Sequence, residues 1–303
     1  MISSSTQIAT PPGVVLSFAR ALRPHQWAKN LLVFVPLFAS HRMRDLQPLT
    51  AACAAFVCFC ACASAVYLLN DLMDVEADRR HSSKKNRPFA SGALPTIAGW
   101  IAAPALGAAA IMSALPVSRT LAWMLCLYIA VSIAYSAKLK RMAALDVLVL
   151  AGLYTIRLYA GGAAANVAVS SWLAAFSMFL FLSLAFLKRY VELSEMRLSE
   201  GHTGFGRGYY ADDQIPVAVF GCASGYIAVL VYALYVSSPH VAALYSHPDR
   251  LWFICPLLLY WITRIWLLAT RGKVHDDPLI FALRDIAAYV TVALTGLVSF
   301  WAL

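Results

Sequence analysis

An all-α, polytopic membrane protein is the fold class this chain predicts, and three observations lead there. Of its 303 residues, 61% are hydrophobic and only 13% are charged. The mean hydropathy is +0.70, and the apolar residues are gathered in long runs. A soluble core of this length could not hide so much apolar surface. Windows long enough to cross a hydrocarbon layer, about 20 residues each, fall at 30–41 (extending back if tilted), 50–69, 95–115, 118–136, 143–163, 170–188, 215–237, 251–270 and 280–302. The expectation is about nine transmembrane helices in one integral membrane domain over 1–303, with a polar, flexible tail at 1–14.

Lys and Arg orient the bundle. The N-terminal flank and the loops after the second, fourth, sixth and eighth windows hold about 17 of the 24, and the opposite loops hold about four: Arg42, Arg44, Arg119 and Arg250. This bias predicts a multi-pass protein of the inner (plasma) membrane whose charged loops face the cytoplasm. The net charge of +9 then reflects loop bias and phosphate ligands rather than nucleic acid, because the basic residues are dispersed among membrane loops. Residues 1–12 are polar, and no signal peptide is expected there. The seven cysteines lie in apolar windows and read as small packing residues. With no C-x-x-C or H-E-x-x-H spacing and scattered histidines, zinc is not expected.

Taken in order, Arg20 to Asn30 reads as an interfacial helix that kinks at Pro24 into the first span, with Trp27 in the aromatic belt. Arg23 reads equally as a snorkelling anchor and as a binding residue. Lys29 and Asn30 are stronger binding candidates, since an amide inside an apolar run is costly unless something binds it. The second window ends in Asn70, Asp71, Asp74 and Asp78. Asp71, Asp74 and Asp78 stand at i, i+3 and i+7, on one helical face. Such carboxylates repel one another unless a divalent cation or a cationic ligand holds them. Lys84, Lys85 and Arg87 come directly after and offer charge to phosphate oxygens. The pattern points to a magnesium-bound diphosphate, with a solvated helix end neutralised by Arg79 and Arg80 as the plainer alternative.

Further on, the small-residue run 102–110 allows close helix contacts within or between subunits, which leaves a homo-oligomer open. Tyr135, Lys138 and Lys140 form a basic elbow before the fifth helix, part of it explained by anchoring. Asp146 and Arg157 share a face of that helix but lie about 16 Å apart along it. A direct salt bridge is excluded, so each needs its own partner in the bundle. After the sixth window come Lys188, Arg189, Tyr190 and Glu192. Lys188 and Glu192 could pair at i, i+4 or face the acidic cluster and grip an anionic substrate. The connections 71–94 and 189–214 mix acids with bases, as a lid would. The glycine-rich 202–210 permits close backbone approach to an anion, though a plain loop has the same composition.

The N-D-x-x-D-x-x-x-D signature at 70–78, with a second charged motif after the sixth helix, resembles the UbiA superfamily of intramembrane prenyltransferases. Those enzymes bind a magnesium diphosphate between two aspartate-rich motifs. The second motif departs from that pattern: Lys188-Arg189-Tyr190-Val191-Glu192-Leu193 stands where D-x-x-x-D is usual. Together with 22–30, Tyr135-Ser136-x-x-Leu139-Lys140 and 276–285, it is similar to the decaprenyl-phosphate phosphoribosyltransferase branch. The resemblance implies a UbiA-like bundle. It also implies transfer of 5-phosphoribose from 5-phosphoribosyl 1-diphosphate to a polyprenyl phosphate in cell-envelope precursor synthesis, with Mg2+ as cofactor.

On that resemblance Asp71, Asp74 and Asp78 would hold magnesium with Asn70 in support, and Glu192 would face the ribose. Lys29, Asn30, Lys84, Lys85, Arg87, Tyr135, Lys138, Lys140, Asp146, Arg157, Lys188, Arg189 and Tyr190 would line the phosphate and substrate sites. The acceptor phosphate is already ionised, so no strong general base is required. One rival is ordinary prenyl transfer from a prenyl diphosphate to an aromatic or lipid acceptor. Another is a polyprenyl-phosphate transporter or binding protein, whose inverted repeats are not seen between the halves. Asp276, Asp277, Arg284 and Asp285 receive no role.

Overall fold

A computed structural model describes residues 13–80, 84–198, 208–274, 277–282 and 284–303, and only the backbone of 197, 198 and 240. The polar tail up to residue 12, positions 199–207 of the glycine-rich connection and Asp276 lie outside the described residues. Every regular element described is helical. The chain begins with α1 (Val14–Ala21). Arg23 then adopts a left-handed conformation (φ 54°), and Pro24 opens a 3-10 helix over Pro24–Phe34 that runs into α2 (Val35–Ala39). The break expected at Pro24 is present, but the segment beyond it is 3-10 rather than an α-helical span.

The long helices come next: α3 (Leu46–Met73), a short α4 (Val75–Arg80), α5 (Thr96–Ala114), α6 (Arg119–Ala137), α7 (Leu145–Ala165) and α8 (Ser171–Leu198). The last third holds α9 (Gln214–Val236), a one-turn α10 (Pro239–Ala242), α11 (Ile254–Thr270), α12 (Pro278–Ala282) and α13 (Ile286–Ala302).

Among the described residues, seven helices are long and apolar enough to cross a membrane, against the nine windows of the sequence. The two shortfalls are at the ends. The 280–302 window is broken, because Asp285 caps α13 by accepting from the Ala288 amide (3.2 Å) and leaves a 17-residue helix. The 30–41 window carries 3-10 structure, whose rise of about 2.0 Å per residue exceeds the α-helical 1.5 Å. Eleven 3-10 residues and five α residues therefore extend roughly 30 Å, long in ångströms though short in residues.

α7 lies at the centre of the bundle. Val147, Ala151 and Leu158 pack with Phe181, Leu187, Ile262 and Trp266 on one side, while Leu153, Ala160 and Ala164 join Phe59, Leu121, Leu125 and Tyr128 on the other. A helix that is apolar on two faces is one buried between layers. In lipid, helix association rests on close packing rather than on water exclusion. Gly161 shows this most plainly: a Cβ there would overlap the backbone carbonyl of Val33 in the 3-10 helix. The 3-10 segment, which carries Lys29 and Asn30, thus rests directly on the α7 backbone. Gly161→Leu is expected to drive the two apart, at a cost of about 1–3 kcal/mol, read as a lower melting temperature of the detergent-solubilised protein.

Candidate active site

The acidic motif is not one continuous helical face. α3 stops at Met73, Asp74 takes the C-cap position (φ −99°, ψ 6°), and α4 restarts at Val75. Asp71 and Asp78 are both buried and converge on arginine. Arg23 Nη2 lies 2.5 Å and Arg87 Nη1 3.2 Å from Asp71 Oδ1. The same Arg87 nitrogen is 2.6 Å from Asp78 Oδ2. Asp74 turns outward, its side chain 41% exposed, to Lys140 at 3.5 Å. Arg23 also stacks its guanidinium over Tyr67, 5.2 Å from the ring centroid.

Among the described residues, no group of three or more His, Cys, Asp or Glu is gathered as a ready-made metal site. The donor set still fits a hard divalent cation. Two carboxylates face each other across a single guanidinium nitrogen, and the Asn70 Oδ1 beside them is buried without a hydrogen-bond partner. All three are oxygen ligands of the kind magnesium takes.

A second charged locus forms around a residue to which the sequence assigned no role. Asp277 Oδ2 receives Lys29 Nζ at 2.7 Å and Lys188 Nζ at 3.1 Å, and Lys29 Nζ also lies 5.8 Å from the Tyr154 ring centroid. Burial by itself would raise the Asp277 carboxyl, but Lys188 and Lys29 outweigh it and hold the group well below the usual carboxylate range. Lys188 therefore does not pair with Glu192, the i, i+4 option the sequence allowed.

The two charges within α7 each find a partner of their own, as their separation requires. Arg157 donates through Nε to Asn30 Oδ1 (2.9 Å), through Nη2 to the Tyr128 hydroxyl (3.1 Å) and through Nη1 to the Leu153 carbonyl. Asn30 in turn donates to Cys60 Sγ (3.4 Å). Asp146 meets Arg189, whose Nε is 2.5 Å from Oδ2. Arg189 also holds Glu192 and donates to the Tyr135 hydroxyl at 2.8 Å.

Tyr209 completes this group. Its hydroxyl donates to Asp146 Oδ1 (2.7 Å) and accepts from the Ala144 amide (2.9 Å). Burial and the bond to Asp146 push its phenol above the usual value. Tyr135, Asp146, Arg189 and Glu192 thus face one another inside the protein, although Asp146 Oδ2 and Arg189 Nε meet as an ion pair without a hydrogen bond.

The remaining candidates are peripheral. Lys84, Lys85 and Lys138 are exposed, and the Tyr190 ring packs against Trp266 (5.8 Å between centroids). Sequence reasoning did not single out two residues that the structure makes central. Arg23 looked as much like a snorkelling anchor as a binding residue, and Asp277 stood in a charged run without an evident face; its neighbour Pro278, which starts α12, was the available signal. A groove of about 550 Å3 lined by Arg264, Arg284, Asp285 and Val290 opens between α11 and α13 and shares no residue with the polar cluster.

The chain has known relatives. The model of the UbiA prenyltransferase family matches residues 31–301. The chain belongs to the UbiA prenyltransferase family. Nodulation protein NoeC of Azorhizobium caulinodans is 38% identical over 91% of this chain and 90% of its own length. The uncharacterized protein y4nM of Sinorhizobium fredii is 38% identical over 90% of this chain, which spans about half (53%) of that relative. A decaprenyl-phosphate phosphoribosyltransferase of Mycolicibacterium smegmatis is 40% identical over 60% of this chain and 59% of its own. The fold is that of a UbiA homolog from Archaeoglobus fulgidus solved with GPP and Mg2+, with a TM-score of 0.71 at 16% identity, covering 93% and 99% of the two chains. This UbiA protein is thus an integral membrane member of a transferase family.

The Asp146–Arg189 pair yields a test of structural against ligand-binding roles. Arg189→Met should cost about 3–5 kcal/mol by stranding a buried carboxylate, and combining it with Asp146→Leu should recover part of that loss. Melting temperatures of the two variants in detergent check both statements.

Proposed function

We propose that this UbiA protein transfers 5-phosphoribose from 5-phosphoribosyl 1-diphosphate to a decaprenyl-like polyprenyl phosphate, releasing diphosphate, as a step in cell-envelope precursor synthesis. The positive-inside bias of the loops supports a reaction at the cytoplasmic face of the inner membrane. The observation that carries the reading is the cationic second locus. Where the superfamily usually has a second acidic motif, this chain sets Lys188 beside Lys29 around one carboxylate. A donor with phosphate at both ends needs cations in two places. The relatives named decaprenyl-phosphate phosphoribosyltransferase, though matched over only 60% of this chain, support the same reading.

In this reaction an oxygen of the polyprenyl phosphate bonds to ribose C1 while the bond from C1 to the diphosphate oxygen breaks. The electron pair leaves with diphosphate. Asp71 and Asp78, with the Asn70 amide oxygen and Asp74 from the rim, would hold Mg2+. The bound ion supplies positive charge to the departing diphosphate. Arg23 and Arg87, which neutralise those carboxylates in the structure, are placed to exchange a carboxylate for phosphate oxygens. Lys84, Lys85 and Lys140 add positive charge at the mouth of the site. Glu192 is a weaker candidate for facing the ribose, since its charge is already matched by Arg189. The polyprenyl chain would lie between helices in the bilayer.

Prenyl transfer from a prenyl diphosphate is the alternative favoured by the fold match, but a donor with one diphosphate and an apolar tail leaves the Lys29–Lys188 locus without a ligand. A reconstituted assay with phosphoribosyl diphosphate, polyprenyl phosphate and Mg2+, read as diphosphate release, decides between them. Turnover should require all three components, and prenyl diphosphate should not replace the sugar donor. Asp71→Asn should lower kcat roughly 10²-fold with the helix content unchanged. Consumption of prenyl diphosphate alone, or an Asp71→Asn protein with full activity, would overturn the assignment.

A further inference from the structure

Lys29 and Lys188 have hydrogen-bonding capacity to spare. Each ammonium carries three N–H donors, and each gives one to the same oxygen of Asp277. Lys29 is buried at 7% exposure, where unused donors on a charged group are costly. By contrast, the buried guanidinium of Arg157 has every nitrogen engaged. The lysine pair is therefore built to receive an acceptor, and the aromatic face of Tyr154 beside it supplies none.

The 3-10 helix relates this pair to the acidic motif. At three residues per turn, side chains at i and i+3 eclipse, so Gln26 and Lys29 share one row, and Arg23 stands in the left-handed turn just before Pro24. Arg23 reaches Asp71, Gln26 takes the Tyr67 hydroxyl at 3.5 Å, and Lys29 reaches Asp277. Six residues at about 2.0 Å each set the two ends roughly 12 Å apart along the axis. That leaves room for a sugar ring between two phosphoryl groups.

We propose that Lys29 and Lys188 form a subsite for a phosphomonoester of the donor, the one remote from its diphosphate, and that Asp277 is a positioning residue which holds the two ammonium groups at a spacing one phosphate can bridge. The proposal rests on the reading of the donor as a sugar diphosphate with a second phosphate. Asp277 fixes the two ammonium groups by accepting from both at one oxygen, 2.7 Å from Lys29 and 3.1 Å from Lys188.

Binding and turnover separate this idea from the reaction assigned above. Ribose 5-phosphate, titrated into the full-length protein in detergent and monitored by calorimetry, should bind the wild type and lose at least about 10-fold in affinity in Lys188→Gln, with Lys188→Arg restoring much of it. In the assay, Lys188→Gln should raise KM for phosphoribosyl diphosphate and leave KM for polyprenyl phosphate unchanged. With Asp277→Asn, ribose 5-phosphate affinity should fall about 10-fold and the KM for phosphoribosyl diphosphate should rise, with kcat and the KM for polyprenyl phosphate unchanged; a purely structural aspartate would not confine the loss to the donor.

Equal ribose 5-phosphate affinity in wild type and Lys188→Gln, or a rise in the acceptor's KM instead of the donor's, overturns the subsite. An Asp277→Asn protein that binds ribose 5-phosphate as tightly as the wild type, or that loses kcat instead of donor KM, overturns the positioning role. If ribose 5-phosphate binds through Lys188 but only prenyl diphosphate is turned over, the subsite stands and the proposed reaction falls.

Discussion

Ionised groups buried in an apolar bundle must find compensation within reach, and that constraint organises this protein. A charge in the hydrocarbon region costs several kcal/mol unless it is paired or borders water. The buried charges meet the requirement in different ways. Asp71 and Asp78 share Arg87, Asp146 meets Arg189, and two lysines share Asp277. Among the described residues, Arg157 has no carboxylate within hydrogen-bonding contact. It is held by the Asn30 amide oxygen, the Tyr128 hydroxyl and a backbone carbonyl, with the Tyr128 ring 4.8 Å away. These pairings fix which helices touch: α7 must lie between α8, which brings Arg189, and the 3-10 segment, which brings Asn30.

The same constraint separates charges enclosed by the bundle from charges that stay accessible. Arg189 contacts Asp146, Glu192 and Tyr135 at 1% exposure, so its partners are internal to the protein. Arg87 and Lys188 differ, with side chains 27% and 32% exposed. They reach solvent or cavity from one side while neutralising a carboxylate on the other. Residues of that kind can trade a carboxylate for a phosphate without leaving a buried charge stranded.

Much of this was legible in the chain. Helix α3 and its terminal acids are expected from a long apolar run ending in Asn70, Asp71, Asp74 and Asp78, and the separation of Asp146 from Arg157 excluded their pairing before any partner was known. What periodicity could not show was the break at Asp74, since i, i+3 and i+7 spacing assumes an unbroken helix. Nor could it show the 3-10 geometry of Pro24–Phe34, because hydropathy counts residues while a bilayer measures ångströms. Asp277 was hidden for a different reason. Its partners Lys29 and Lys188 are 248 and 89 residues away in the chain, and no local pattern encodes a contact of that range.

The departures from regular α-helix gather where the polar residues are. Arg23 with φ 54°, the 3-10 segment, the interruption at Asp74 and the start of α12 at Pro278 each border Asp71 or Asp277. Backbone that leaves the helical pattern at membrane depth is tolerated only where protein or a water-filled cavity satisfies it. Here the irregular segments supply Arg23, Lys29, Asp74 and Asp277, four of the charged groups at the two loci. A straight helix would have spread those side chains around its circumference. The irregular backbone is therefore the means by which a mostly apolar chain gathers these four charges at two loci.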